Sequence, residues 1–419
     1  MCKDRQVTLP PEAQERWIPE DWTKSNIGEN ADVYAGGTPS TRKPEYWIKE
    51  IPWMKSGEVN KRIIWSSDSA ISKKGLAESS ARMIPINSVL IALAGQGKTR
   101  GKVAINKIEL CTNQSVAAII PDKNKLDYEF LFHNLDFRYE QIRKMSYGEG
   151  GRGGLNLSII KSIKLILPDL NEQKKITRIL STWDKAIEVT EKLIKNSQAQ
   201  KKALMQQLLT WEKRLPNYES KWNSLKICQI SKRINRTIEG NDYPILMISS
   251  TAGFVRQDEK YGRYMAGKSV ENYILLKKGE FAYNKGNSKT YQFGCVFDLE
   301  SYAAALVPHV YVCFKLKPEF NHKFYKYLFE SDYLKPQLGR LVNTGVRNNG
   351  LLNIKPIEFM NTKVPVPTVV EQEEIANVID AANKEIALLQ KSLDCLINQK
   401  KALMQQLLSD KRRVKISDH

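Results

Sequence analysis

The chain has no apolar run near the ~18 residues a membrane span needs, and Met1-Cys2-Lys3-Asp4-Arg5-Gln6 lacks the apolar core of a signal peptide. The expectation is therefore a cytoplasmic protein without membrane partners. Cysteine is sparse and scattered: six residues (Cys2, Cys111, Cys228, Cys295, Cys313 and Cys395) form no C-x-x-C pair. That excludes a disulfide framework and fits a reducing compartment. Four histidines (His133, His309, His322 and His419) without H-E-x-x-H spacing leave a zinc site little to work with, so no metal is expected. What is present is ordinary in bulk and unusual in charge. The 419 residues are 42% hydrophobic and 26% charged, a globular balance for two or three domains. Lys and Arg number 65 against 46 Asp and Glu, a net charge of +19 that points to an anionic partner, most naturally nucleic acid.

A duplication organises the chain. Residues 200–209 read QKKALMQQLL, and residues 399–408 repeat them without change. The offset of 199 extends back without a gap, setting Pro168 on Pro367, Glu172-Gln173 on Glu371-Gln372, and Ile176 on Ile375. Both copies carry an a/d seam over about five heptads. The first uses Ile176, Leu180, Trp183, Ile187, Ile194, Leu204 and Leu208, with Thr190, Ser197 and Lys201 in the gaps. The second uses Ile375, Ile379, Ala382, Ile386, Leu389, Leu393, Leu396, Leu403 and Leu407, with Lys400 in the slot of Lys201. Asp169 with Glu172, and Thr368 with Glu371, have capping-box spacing just after a proline. Each pattern predicts a helix roughly 57 Å long at 1.5 Å per residue. One seam per helix favours the two packing on each other over each forming an ordinary core helix. Trp183 and Ala382 in equivalent slots suggest large-against-small packing, with different partners if the pair is antiparallel.

The segments before the helices read as α/β or α+β globules. Short β-type runs (Ser88-Val-Leu-Ile-Ala-Leu, Val116-Ala-Ala-Ile-Ile, Val310-Tyr-Val-Cys-Phe) alternate with turns, and aromatic-rich helical stretches cover Asp127–Leu135 and Phe320–Phe329. The globules resemble each other weakly, mainly where Trp17-Ile-Pro-Glu-Asp-Trp22 is echoed by the stretch from Leu215 to Trp222. The expected organisation is a globule at 1–168, a helix at 169–210, a globule at 211–367, a helix at 368–409 and a basic tail at 410–419. The two helices carry +4 and −2 and the tail +2, which leaves +15 on the globules. Divergent basic globules on a matched scaffold read as two DNA-contacting modules, in which Lys and Arg neutralise phosphate and other side chains read bases.

These features resemble the specificity subunit of Type I restriction–modification enzymes. The resemblance rests on the Pro-x-x-x-Glu-Gln helix starts, Ile179-Leu-Ser-Thr-Trp-Asp-Lys-Ala-Ile187, the repeated KKALMQQLL, and Ala35-Gly-Gly-Thr-Pro-Ser-Thr41. Thr112-Asn-Gln-Ser115 and Lys278-Gly-Glu-Phe-Ala-Tyr-Asn-Lys285 add to it. The resemblance implies two target recognition domains, each reading half of a bipartite asymmetric site on double-stranded DNA. It implies an antiparallel helix pair that sets their spacing and docks two modification subunits for adenine-N6 methylation, with restriction subunits joining that core. S-adenosylmethionine, ATP and Mg would then belong to partner subunits, and this chain would hold no cofactor and no catalytic residue. The one Pro-Pro, Pro10-Pro11, lies between Leu9 and Glu12, so the Asp/Asn-Pro-Pro-aromatic motif of an amino-methyltransferase is missing.

Candidate DNA contacts follow from residue chemistry. Residues 88–99 imitate a P-loop, but Ala92 stands where its first glycine belongs, and Arg100-Gly-Lys-Val-Ala-Ile105 reads as turn then strand. Lys98, Arg100 and Lys102 therefore read as a basic turn for phosphate. Two Gly/Arg/Asn loops at the same stage of each globule, 148–154 and 343–350, nominate Arg152 and Arg347 for guanine, and Asn348 and Asn349 for adenine. Arg42, Lys43, Lys55, Lys285 and Lys289 are phosphate candidates. The competing readings are a coiled-coil scaffold, a DNA-binding protein without restriction–modification partners, and an ATP-using enzyme. The charge on the globules opposes the first, and the defective P-loop opposes the last.

Overall fold

The computed structural model describes residues 21–95, 99–146, 154–237, 243–261, 268–342, 352–408 and 412–414. The chain forms two compact units, one of residues 1–190 and 392–419, the other of residues 191–391. Each unit holds one globule, half of the first long helix (Leu170–Leu209) and half of the second (Val369–Leu407).

In the first unit a five-stranded sheet runs in the order Ala31–Ala35, Val116–Pro121, Val89–Ala92, Val103–Asn106, Ile63–Ile64. Val89–Ala92 is buried along its whole length, as a short continuous apolar run in a central strand should be. It pairs antiparallel with Val103–Asn106, so the P-loop imitation is a hairpin, strand then turn then strand. A second sheet of Ser69–Ile71, Ile51–Met54 and Cys111–Thr112 completes the globule. In the second unit the main sheet orders Ser231–Ile234, Val312–Leu316, Phe281–Asn284 and Cys295–Asp298, all antiparallel. In the first globule two strand pairs are parallel, Ile51–Met54 with Cys111–Thr112 and Ile63–Ile64 with Val103–Asn106. The globules are mixed α/β of the α+β kind.

The globules share more framework than their sequences show. Thr23–Asn26 pairs with Lys164–Leu167, and Asn223–Lys226 pairs with Lys363–Val366, both antiparallel. A four-residue helix follows in each, Ile27–Asn30 and Ile227–Ile230, and its first N–H donates to Ile163 O or Thr362 O. The helices Tyr128–Phe137 and His322–Glu330 are likewise equivalent. Each is capped by an Asx side chain, Asp127 or Asn321, whose own N–H donates to Gln173 Oε1 or Gln372 Oε1 at 2.9 Å.

The long helices pack antiparallel. In the first unit Ile176 and Leu180 share a core with Met404, Leu407 and Leu408. In the second, Met205, Leu208 and Leu209 share one with Ile375, Ala376 and Ile379. Asp184 pairs with Lys400, which sets Trp183 at the level of Lys400 rather than of Ala382. The large-against-small match therefore does not form, because the pairing reverses the second helix. The seam also widens at the helix ends. Met205 and Met404 are buried, whereas Leu204 and Leu403 are half-exposed, because the globules cover the neighbouring face. Toward the helix middles Thr190, Ile194 and Leu393 stay buried, while Trp183, Ile187, Ile386, Leu389 and Leu396 are half-buried.

Candidate nucleic-acid interface and its clamp

Each globule is fixed to the helices by the same three-residue clamp. Glu172 and Glu371 open the two long helices with carboxylates buried to 0% exposure. Trp22 Nε1 donates to Glu172 at 3.3 Å, and Trp222 Nε1 donates to Glu371 at 3.0 Å. Arg413, just past the end of the second helix, donates to Glu172 through Nε and Nη2 at 3.0 and 2.9 Å. Arg214, just past the end of the first, donates to Glu371 through Nε and Nη2 at 3.2 and 2.9 Å. The capping-box spacing is thus half used. Asp169 and Thr368 accept from the N–H groups of Glu172 and Glu371, but the Glu carboxylates bind the clamp instead of reaching back. Buried carboxylates need such charged donors to be tolerated. The next residue completes the joint: Gln173 Nε2 donates to Pro168 O and Lys125 O, and Gln372 Nε2 to Pro367 O.

None of the clamp's tryptophans and arginines stood among the candidate residues. A signal existed, since Arg214 and Arg413 also lie 199 apart, five residues past the end of the identical stretch.

The motifs in the globules turn out to be joints of the scaffold. Gly36 and Gly37 pass against Thr112 so closely that a Cβ on Gly36 would lie 2.2 Å from its carbonyl oxygen, and Gly37 N–H donates to that oxygen at 2.8 Å. Glycine is required there because nothing larger fits. The two motifs therefore meet, with Thr38 Oγ1 donating to Gln114 and Trp53 Nε1 donating to Gly37 O. In the second globule Glu280 is buried and accepts from both terminal nitrogens of Arg236 at 3.1 Å, which holds Arg236 charged.

The candidate DNA contacts are distributed over this frame. Arg42 is exposed, and Lys43, also exposed, donates to the Tyr46 hydroxyl and pairs with Glu78 at 3.5 Å. Lys55 is exposed just after the Ile51–Met54 strand, where Met54 O accepts from Asn113 of the Thr112 motif. Lys102 donates to Asn60 Oδ1 at 2.8 Å, which ties the basic turn to the Ser56–Lys61 helical turn that Lys55 precedes. Arg100 is half-buried against Ser146. Lys285 is half-exposed and Lys289 exposed. Lys98, Arg152, Arg347, Asn348 and Asn349 lie outside the described residues. The described candidates of the first globule thus fall in separate places, Lys43 beside Tyr46 and Glu78, Lys55 and Lys102 at the Ser56–Lys61 turn, and Arg100 against Ser146. Among the described residues no group of three or more His, Cys, Asp or Glu could hold a metal ion, and no helix is long and apolar enough to cross a membrane.

Two unlike globules mounted by one repeated clamp on paired helices define a class, and residues 19–197 match the family model described as the Type I restriction modification DNA specificity domain. The chain is thus similar, most specifically over its first half, to Type I restriction–modification specificity subunits. It is 31% identical over 163 residues to a specificity subunit of a Type I restriction enzyme of Escherichia coli. That match covers 38% of this chain and 40% of the relative. It is 24% identical to one from Methanocaldococcus jannaschii over 95% of this chain and 94% of the relative. A crystal structure of a Type I restriction–modification S subunit from M. genitalium aligns over 96% of this chain and 98% of that chain, with a TM-score of 0.55 and 15% identity, a likeness of fold.

Proposed function

We propose that this chain is a non-catalytic subunit that gives a Type I restriction–modification complex its DNA sequence specificity. Each globule reads one half of a bipartite asymmetric site on double-stranded DNA. The paired helices set the spacing and dock two modification subunits, which bring S-adenosylmethionine and methylate adenine N6 within the site. Restriction subunits with ATP and Mg join that assembly. The observation that carries this reading is the repeated clamp: identical joints hold globules whose exposed residues differ, as a two-part reader with one assembly surface requires. Lys and Arg on the globules supply sequence-independent phosphate attraction, and the loops supply discrimination.

The test is a spacer deletion in the chain co-expressed with its modification subunits. Removing Glu188–Ile194 shortens one helix by roughly 10 Å, or about three base pairs at 3.4 Å each. Mapping of methylated adenines should return the same half-sites at a changed separation, or no methylation. Full methylation at the original separation refutes the ruler.

A further inference from the structure

The two globules build one end of their main sheets on the same plan and charge it differently. Asp122 N–H donates to Asn30 O at 2.8 Å, and Lys317 N–H donates to Ile230 O at 3.0 Å. In the first sheet Asp32 then lies opposite Ile120, and in the second Lys232 lies opposite Lys315. Val33 and Arg233 correspond on the same strands. The next strand in matches too, since Val89 pairs with Ile119 as Phe281 pairs with Phe314. The turns that enter it have one form: Asn87 and Gly279 take positive φ of 63° and 77°, and the Ser88 and Glu280 that follow are buried. Pro85 and Ile86 therefore stand where the second globule has Lys277 and Lys278.

At these positions the first globule carries Asp32 and Asp122, the latter paired with Lys125 at 3.7 Å, and is otherwise uncharged. The second carries Lys232, Arg233, Lys277, Lys278, Lys315 and Lys317, all exposed except the half-exposed Lys317. Their side chains make no hydrogen bond or ion pair among the described residues. Of the acids close in sequence, Glu280 is buried and held by both terminal nitrogens of Arg236, and Glu319 is exposed two residues past Lys317. Like charges directly opposite each other destabilise a strand pair, so Lys232 and Lys315 cost the fold something that Asp32 and Ile120 do not. A lysine on an edge strand guards against strand addition. That accounts for Lys232 alone, because Ser231–Ile234 is the edge and Lys315 lies on the next strand in.

We propose that this end of the second globule grips the phosphate backbone of duplex DNA beside the bases that the globule reads, a contact the equivalent end of the first globule does not make. The proposal rests on the DNA-reading role above. The six cations are spread along a strand pair and a turn, which suits an extended polyanion better than a small anion, whose binding needs donors that converge. Lys285, a phosphate candidate, follows the other end of the Phe281–Asn284 strand. Four residues at about 3.3 Å each separate the two ends, so about four base-pair steps of one duplex span both. Each phosphate neutralised there releases counterions whatever the sequence, so the patch strengthens binding without choosing bases.

The test is the salt dependence of DNA binding by the full chain with its modification subunits, on duplexes carrying the mapped methylation site and on scrambled duplexes. Replacing Lys232→Gln and Lys315→Gln together should lower the slope of log affinity against log salt by about 1.8 on both duplexes, at about 0.9 per phosphate. The methylated sequence should not change. Lys232→Arg with Lys315→Arg keeps the charge and should keep the slope. An equal loss in the Arg pair would show that folding and not charge is at work, and would overturn the proposal. A changed methylation sequence in the Gln pair would overturn the phosphate assignment, and loss of modification subunits without DNA would reassign the patch to protein. An unchanged slope beside a steep native one would overturn this patch alone, whereas a native complex that binds no duplex would sink the DNA-reading role with it.

Discussion

The clamp makes a graded prediction, because its two copies differ in how much water reaches the arginine and in what else the arginine pairs with. The Glu371 side chain is 1% exposed and the Arg214 side chain 15%, whereas Arg413, which serves Glu172, is 44% exposed and also pairs with Asp21 at 2.7 Å. Glu371→Ala strands a buried guanidinium and the Trp222 N–H together. Breaking a buried pair by removing one partner costs about 3–5 kcal/mol. Glu172→Ala leaves Arg413 with Asp21 and solvent, so the loss should approach that of single hydrogen bonds to a charged group, about 1.5–3 kcal/mol. In a unit of some 200 residues, each kcal/mol is worth about 2–4 °C. Glu371→Ala should therefore lower the midpoint of its unit by about 6–20 °C, and Glu172→Ala by about half as much. Hydrogen exchange read by mass spectrometry assigns each loss to its unit. Equal losses, or a larger one from Glu172→Ala, would refute the argument that solvent access to the arginine sets the difference.

Three further outcomes follow from particular residues. His133 is buried and held down to about 3 by loss of hydration, so its contribution is full above the unfolded value of ~6.5 and is lost as pH falls. Between pH 7 and 5 the native chain should lose about 2 kcal/mol that a His133→Gln variant does not lose, and parallel pH profiles would refute this. A fragment of residues 1–214 keeps Met205, Leu208, Leu209, Lys201 and Arg214, which match Met404, Leu407, Leu408, Lys400 and Arg413 at the offset of 199. It should form a two-fold dimer that restores both clamp and Asp184–lysine pair, and a monomer at micromolar concentration by sedimentation would refute it. Arg42→Ala and Lys289→Ala should each weaken DNA binding by the complex alike across sequences and lower its salt slope by about 0.9, so an unchanged slope would remove that residue from the phosphate contacts.

The sequence by itself determined the organisation. Helical periodicity is local, so a seam of apolar residues at steps of three and four, unbroken by Gly or Pro over forty positions, specifies a long amphipathic helix wherever it occurs. The identical stretch then announces that there are two. The central strands were equally legible, since Val89–Ala92 and Val116–Pro121 are short apolar runs buried on both faces. Partner choice was not. Nothing in local spacing pairs Trp22 with Glu172, 150 residues on, or Arg413 with the same carboxylate, 241 residues back. Nor does it say that Lys400, polar in an apolar seam, sits there because Asp184 crosses from the opposite helix. The preference for Met205 and Met404 over Leu204 and Leu403 was likewise decided by the globules that cover them. Hydrophobic pattern marks which face is buried, but only the assembled chain fixes what lies against it, because buried charge is tolerated only where folding brings its partner.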